Sequence, residues 1–343
     1  MSTVFKTFLN NDVTTTRSLL HEAIPITGSI VSGTYSDLNI KDYSHGIFQS
    51  VFDYPYLSSS ANHIFDLTTG YSPLSSLSSS ANIQNAKKIN LYNQMAQILV
   101  GHDITGGILQ FDNDGDLLAG GNKIKEAVFI NFARLLNKDE IKKGSFFLQL
   151  GTGSTYASPF VNVLTLQDTN AQNEFRINSP AGEYAPLYTA SSGIITDTGV
   201  GLVFYQAGIA VVTASVFAGI EFSASLGSDQ LVDTALTSST ISDISNALRH
   251  RIADIDFNNT TELNSTIYFC RLNHNEFNYS SNPTYLSGSK IRVKNNTIDE
   301  PVAYVTSVGL YSADNELLAV AKLSEPLKKT PQNELTLRVR LDY

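Results

Sequence analysis

Apolar and polar positions alternate most regularly in residues 282–343, where VAYVTSVGLY, ELLAVAKL and LTLRVRLDY are separated by turn residues. That pattern predicts small antiparallel sheets. Residues 308–311 and 317–321 pair as strands in this reading, with Ala313, Asp314 and Asn315 in the turn. In the last strand, Leu335, Leu337, Val339 and Leu341 form one row, and Thr336, Arg338, Arg340 and Asp342 form the other. The apolar row is expected to bury against the domain. The polar row, with Arg338 and Arg340, is a solvated face or a docking face for an acidic partner.

Elsewhere the period changes. In residues 82–101, Ile89, Tyr92, Met95, Ala96 and Leu99 recur at helical spacing, with Asn82 placed as N-cap and Gly101 as stop. Residues 229–251 carry a second helical pattern through Ile241, Ile244 and Leu248, reaching Ile252. Asp243 near its start and His250-Arg251 near its end suit the helix dipole. A short helix is also expected over residues 13–23, stopped by Ile24-Pro25. The most apolar segment, GLVFYQAGIAVVTASVFAGIEFS at 201–223, is interrupted by Gln206 and Glu221 and reads as a core hairpin rather than a membrane span. Strands are expected at 127–132, in FFLQLG, and in VNVLTLQD and NEFRINSP, with a turn over 107–121 between two short extended pieces and another opening at Asn137 or Lys138. No fixed-period repeat is present. The fold class expected is α+β, mainly antiparallel β with two substantial helices and a C-terminal β-rich region. Three spans follow: an irregular N-terminal interaction region at 1–80, a mixed α/β core at 81–270 and a C-terminal antiparallel region at 271–343. The low-complexity SPLSSLSSSAN at 72–82 marks the first boundary.

Composition narrows the function. Of 343 residues, 42% are hydrophobic and only 16% charged, so uncharged Ser, Thr and Asn supply much of the polarity. Such a surface suits close packing against protein neighbours, and equally suits a secreted or extracellular protein. A net charge of -9 argues against a phosphate-backbone binder, and Lys87-Lys88, Lys142-Lys143 and Lys328-Lys329 are too short to make a basic patch. MSTVFKTFLNND has no basic region followed by an apolar core, so a Sec-type signal is not expected. The single cysteine, Cys270, excludes an intrachain disulfide and reads as a strand position in STIYFCRL.

Candidate chemistry is sparse. Asp112, Asp114 and Asp116 stand at alternate positions of DNDGD and can converge on a hard cation. The loop departs from an EF-hand: glycine is at the fourth position rather than the sixth, and Lys123 stands at the twelfth. Asp-Gly between apolar segments already signals a hairpin turn, which is the preferred reading, with a weak Ca²⁺ site as the alternative. No metal and no cofactor is assigned. GTGS at 151–154 and AGG at 119–121 do not match a phosphate loop, and no serine sits in a GxSxG elbow. The six histidines form no metal-binding spacing, and His274 lies beside Glu276 as a local pair. Asn259 and Asn264 begin Asn-X-Ser/Thr triplets, attributed to composition. Within 48–56, Phe48, Phe52, Tyr54 and Tyr56 are either interface anchors or ordinary core.

HEAIPITGSIVSGTY, NIKDYSHGIFQSVFDYPYLSSSANHIFDLTTGYS, NFARLLNKDEIKKGSF and FNYSSNPTYLSGSKIRVKNN, with the stretch from PVAYV onward, resemble virion structural proteins of large contractile-tailed phages, especially T4-like phages of marine cyanobacteria. The resemblance covers most of the chain and brings no active site with it. It implies a structural subunit of the virion, in the tail or baseplate, assembled in the host cytoplasm. Its expected partners are other phage structural proteins in an oligomeric particle, without direct nucleic-acid contact or membrane insertion. A neck or capsid-associated position is the alternative within that class. Two other classes stand beside it. A tail-associated glycan hydrolase would use converging carboxylates such as Asp112, Asp114 and Glu126. A receptor-binding module would expose loop aromatics.

Overall fold

The computed structural model describes residues 5–23, 40–52, 63–117, 120–133, 135–136, 139–191, 194–222, 226–279, 286–287, 290–291, 298 and 300–343. Ile24-Pro25, Tyr54, Tyr56 and Asn137-Lys138 lie outside these residues. The fold is α+β and mainly antiparallel, with four α-helices among the described residues. The chain divides into a larger unit, Leu20–Thr261, and a smaller one made of Met1–Leu19 and Glu262–Tyr343. This division differs from the three spans read along the sequence. Sheet pairing is nonlocal: the first strand groups with the last ones, while 72–82 lies inside the larger unit.

The larger unit is built on an 11-stranded antiparallel sheet. Its middle strands run in the order Gly182–Ser191, Ile194–Phe204, Ile209–Thr213, Glu126–Asn131 and His63–Tyr71. Phe129 stands between Val211 on one neighbour and Thr68 on the other. Strand side chains alternate between two cores. Val128, Ile130, Val203, Ala210 and Val212 enter one core; Ala127, Phe129, Leu202, Phe204 and Val211 enter the other. Both faces are therefore dry, and these strands carry unbroken apolar runs instead of alternation. The hairpin read from 201–223 is found, its strands joined around residues 205–208.

Helices close both faces. Asn85–Leu99 buries Tyr92, Ala96 and Leu99 in the second core, while Ile89 and Met95 of the expected stripe are half-buried. Its backbone lies against Gly70, where a Cβ would come within 2.6 Å of the Lys88 carbonyl oxygen. Only glycine permits this approach. Asn82 is not the N-cap. Its Nδ2 donates to Leu77 O at 2.6 Å, and Gln84, with φ of 54°, precedes the first turn instead. Gly101 does end the helix, with φ of 85° and its amide donating to Ala96 O.

The second helical pattern splits into Val232–Ser238 and Ile241–Arg249. Thr240 restarts the helix: its Oγ1 accepts from Asp243 N and donates to the Asp243 carboxylate. Ile252 then opens a strand, Ile252–Asp256. Residues 13–23 form a strand, Val13–Ala23, where a helix was expected. The β-branched run Val13, Thr14, Thr15 and Thr16 favours the extended chain.

In the smaller unit, Ser265–Leu272, the end of the strand Asn258–Leu272, pairs with Leu335–Asp342, Ser265 opposite Asp342 and Leu272 opposite Leu335. Ala303–Tyr311 and Leu317–Lys329 form a separate two-stranded ribbon, with Val308 opposite Ala321. Asn315, with φ of 63°, takes the left-handed position in its turn. The last strand has the expected rows, but only Val339 of the apolar row is buried; Leu335, Leu337 and Leu341 are half-covered.

Candidate functional site

The Asp loop belongs to a short hairpin of the larger unit, Phe111–Asp112 paired with Lys123–Ile124. Phe111 anchors it in the second core, edge-on to Tyr92. The register places Asp112 opposite Lys123, and their side chains form an ion pair. Gly115 N donates to Asp112 O at 3.3 Å, and Asp116 N to Asp114 Oδ1 at 3.1 Å, closing the turn. Tyr184 Oη lies 2.8 Å from Gly115 O and 2.7 Å from Asn178 Oδ1, tying the loop to the sheet. Carboxylate oxygens of Asp112, Asp114 and Asp116 come within 4.8 Å of one another. Asp112 is fully buried, Asp114 exposed and Asp116 half-buried. Burial pushes the Asp112 carboxyl above its ordinary value; Lys123 pulls it back and the like charge of Asp114 adds to the rise. Both the turn and the convergence of carboxylates read from the sequence are present. Glu126 is not in that group and accepts from Ser75 Oγ.

The aromatic candidates separate. Phe52 is 6% exposed, packed edge-on against His63 within its own unit. Phe48 is half-buried against Tyr43 and His45. Phe52 thus serves the chain's own packing. Arg338 and Arg340 both point outward on the last strand. Arg340 Nε is 2.7 Å from Asp342 Oδ1, and its Nη2 is 3.0 Å from Ser265 Oγ, so it is partly engaged within the strand pair.

A groove of about 590 Å³ within the smaller unit went unseen in the sequence. Phe5, Phe8, Phe269, Phe277, Leu310 and Tyr311 line it. Cys270 is on its wall, and burial raises the thiol's pKa, the opposite of an activated nucleophile. Residues far apart in sequence meet here, and only the separate apolar alternations hinted at it.

Buried charges hold backbone instead of forming a catalytic set. Lys88 Nζ donates to Leu236 O and Ser239 O, both at 2.7 Å, at the end of the helix Val232–Ser238, and burial lowers its pKa to about 8. Arg251 does not serve a helix end. It is fully buried and donates to the carbonyls of Gly151, Gly153 and Glu221. Asp168 accepts from Gly144 N, Phe146 N and Tyr205 Oη, with burial raising its pKa. His274 pairs with Glu334 at 3.3 Å, while Glu276 pairs with Lys6 instead. Asn259 is buried and donates to Leu135 O, a structural use that leaves no room for a glycan.

No helix among the described residues is long and apolar enough to cross a membrane. No family model matches the chain, and no curated protein or solved structure is similar to it.

Proposed function

We propose that the chain is a virion structural subunit of a contractile-tailed phage, placed in the tail or baseplate, that acts through protein–protein assembly and not through catalysis. The observation that carries this reading is the ribbon of the smaller unit. Tyr304, Tyr311, Leu317, Leu318 and Val320 are all exposed on two strands that have no third neighbour among the described residues. A two-stranded ribbon is marginal in water, and clustered exposed apolar side chains mark contact surfaces. The low charged fraction agrees, since it limits the desolvation penalty when neighbours pack together. The sequence resemblance supplies the particle, and the other phage structural proteins are the partners. Arg338 and Arg340 offer an acidic neighbour a charged rim beside the apolar ribbon.

The test is a density map of the intact particle with this chain traced. The reading expects Leu317, Leu318 and Val320 covered by neighbouring chains at the tail or baseplate. A chain at the neck or capsid would move the location and keep the assembly role. A peripheral chain with the ribbon in water, and aromatic loops facing outward, would overturn assembly in favour of host binding.

A further inference from the structure

Asp112 is an unusual carboxylate for a simple turn. Its side chain is wholly buried, Lys123 reaches only Oδ2, and Oδ1 has no hydrogen-bond partner. A buried carboxylate oxygen without a donor is strongly unfavourable, so such an atom points to a ligand that supplies positive charge. Gly121, with φ of 75°, stands directly against this carboxylate. A Cβ at residue 121 would lie 3.1 Å from Oδ1, so glycine leaves beside that oxygen the space that a side chain would take. Asp114 and Asp116 bring their oxygens within 4.8 Å of Asp112 and of each other. That separation does not exceed the span of two ligands across a calcium ion with bonds of about 2.4 Å. All three donors are carboxylates, the oxygen chemistry that a divalent hard cation takes.

We propose that residues 112–116 bind a calcium ion, with Asp112, Asp114 and Asp116 as carboxylate ligands and Lys123 as a built-in competitor. The donor set is all oxygen, which selects a hard cation and disfavours zinc or copper. Lys123 stands where an EF-hand carries its bidentate glutamate, so the site lacks one acidic ligand and holds an opposing ammonium. Both features weaken binding, toward a Kd of about 10⁻⁴ to 10⁻³ M. A bound ion would fix the loop against Tyr184 and the sheet beneath it. The inference stands independently of the assembly reading.

The test uses the full chain freed of metal with a chelator. Calorimetric titration with CaCl₂ is expected to give one saturable site, and 10 mM Ca²⁺ to raise Tm by about 3 °C over the chelated protein. Asp114→Asn and Asp116→Asn are each expected to abolish both effects. They replace partly or fully exposed side chains, so the fold is retained. Lys123→Met removes the competing ammonium and is expected to tighten calcium about tenfold. No saturable heat and identical melts with and without calcium would overturn the site. Undiminished binding in the two asparagine variants would place the ion elsewhere and overturn it too. An equal response to MgCl₂ would overturn the assignment to calcium. Unchanged affinity in Lys123→Met would overturn the competition.

Discussion

The two units solve the problem of apolar surface in opposite ways. In the larger unit, one sheet turns both faces inward, and Phe65, Leu67, Phe132, Leu187 and Leu202 are completely covered. In the smaller unit the most buried large apolar side chains among the described residues are Leu310, Leu272 and Val339, at 7 to 8% exposure. Among its described ion pairs, Arg17 with Glu262 and Arg340 with Asp342 are open to solvent, while Arg271 meets the buried Asp12. Ion pairs open to solvent contribute little each, so they orient strands more than they stabilise them. One unit is stabilised from within. The other leaves large apolar side chains at its surface. The proposed contact surface thus falls on the unit with the poorer core.

The largest expected effect tests the core side of that contrast. Phe132 is fully buried, its ring centroid 5.7 to 6.0 Å from those of Phe65, Phe146 and Phe257. Phe132→Ala should lower stability by about 4 kcal/mol in denaturant unfolding, from lost transfer energy plus the cavity. Phe277→Ala removes the same ring from the smaller unit, where 41% of it is exposed. That change should cost about 1 kcal/mol or less. Equal losses from the two variants would break the comparison.

The next effect is electrostatic, and each unit carries shifted groups that report it. Lys88 has a folded pKa of about 8 against 10.5 when unfolded. Between those values the unfolded chain binds more protons, so the stability of the larger unit should rise with pH from about 8, by at most about 3 kcal/mol. Tyr184 and Tyr188 work the other way. Burial lifts both to about 12, and above pH 10 they favour unfolding. A maximum near pH 10 is therefore expected, and Lys88→Met should flatten the rise below it. A wild-type stability that falls steadily from pH 8 to 10 would contradict the assignment. The smaller unit responds at the acid end. Hydrogen bonding from Arg271 holds the Asp12 carboxyl below its ordinary value of 3.8. Its contribution is present above that value and is lost as pH falls through the lowered one. Hydrogen exchange across 265–272 and 335–342 should report that loss, and Asp12→Asn should remove its pH dependence.

Much of this contrast was readable in the sequence, and the failures have physical causes. The doubly buried strands declared themselves as short apolar runs bounded by turn residues. The last strand declared itself by alternation, because one row stays wet. Over residues 13–23 the expected helix, stopped at Ile24-Pro25, gives way to a strand, because the β-branched run Val13 to Thr16 favours the extended chain. Thr240 and Asp243 carried the signal that splits the second helix, a capping pair, but the apolar spacing ran on through it. The Asp loop was legible as a turn with converging carboxylates. The pairing of Asp112 with Lys123 was not, since it depends on hairpin register. The groove was hidden because Phe5, Phe269 and Leu310 meet only through nonlocal pairing.

The smallest effect on stability is the most telling for function. Leu318 and Val320 are 67% and 54% exposed on the ribbon. Their methyl groups do little for the isolated chain, so Leu318→Ser combined with Val320→Ser should change its unfolding free energy by no more than about 0.5 kcal/mol. The same pair of changes should reduce incorporation into particles, because each side chain loses apolar area at the contact. Complementing a particle that lacks the wild-type chain and counting incorporated copies separates the two quantities. Normal stability with lost incorporation would show that the ribbon works between chains. A stability loss above about 2 kcal/mol would mean that the ribbon belongs to the chain's own core. Unchanged stability with unchanged incorporation would move the contact to another surface, with the apolar groove beside Phe5 and Phe277 next in line.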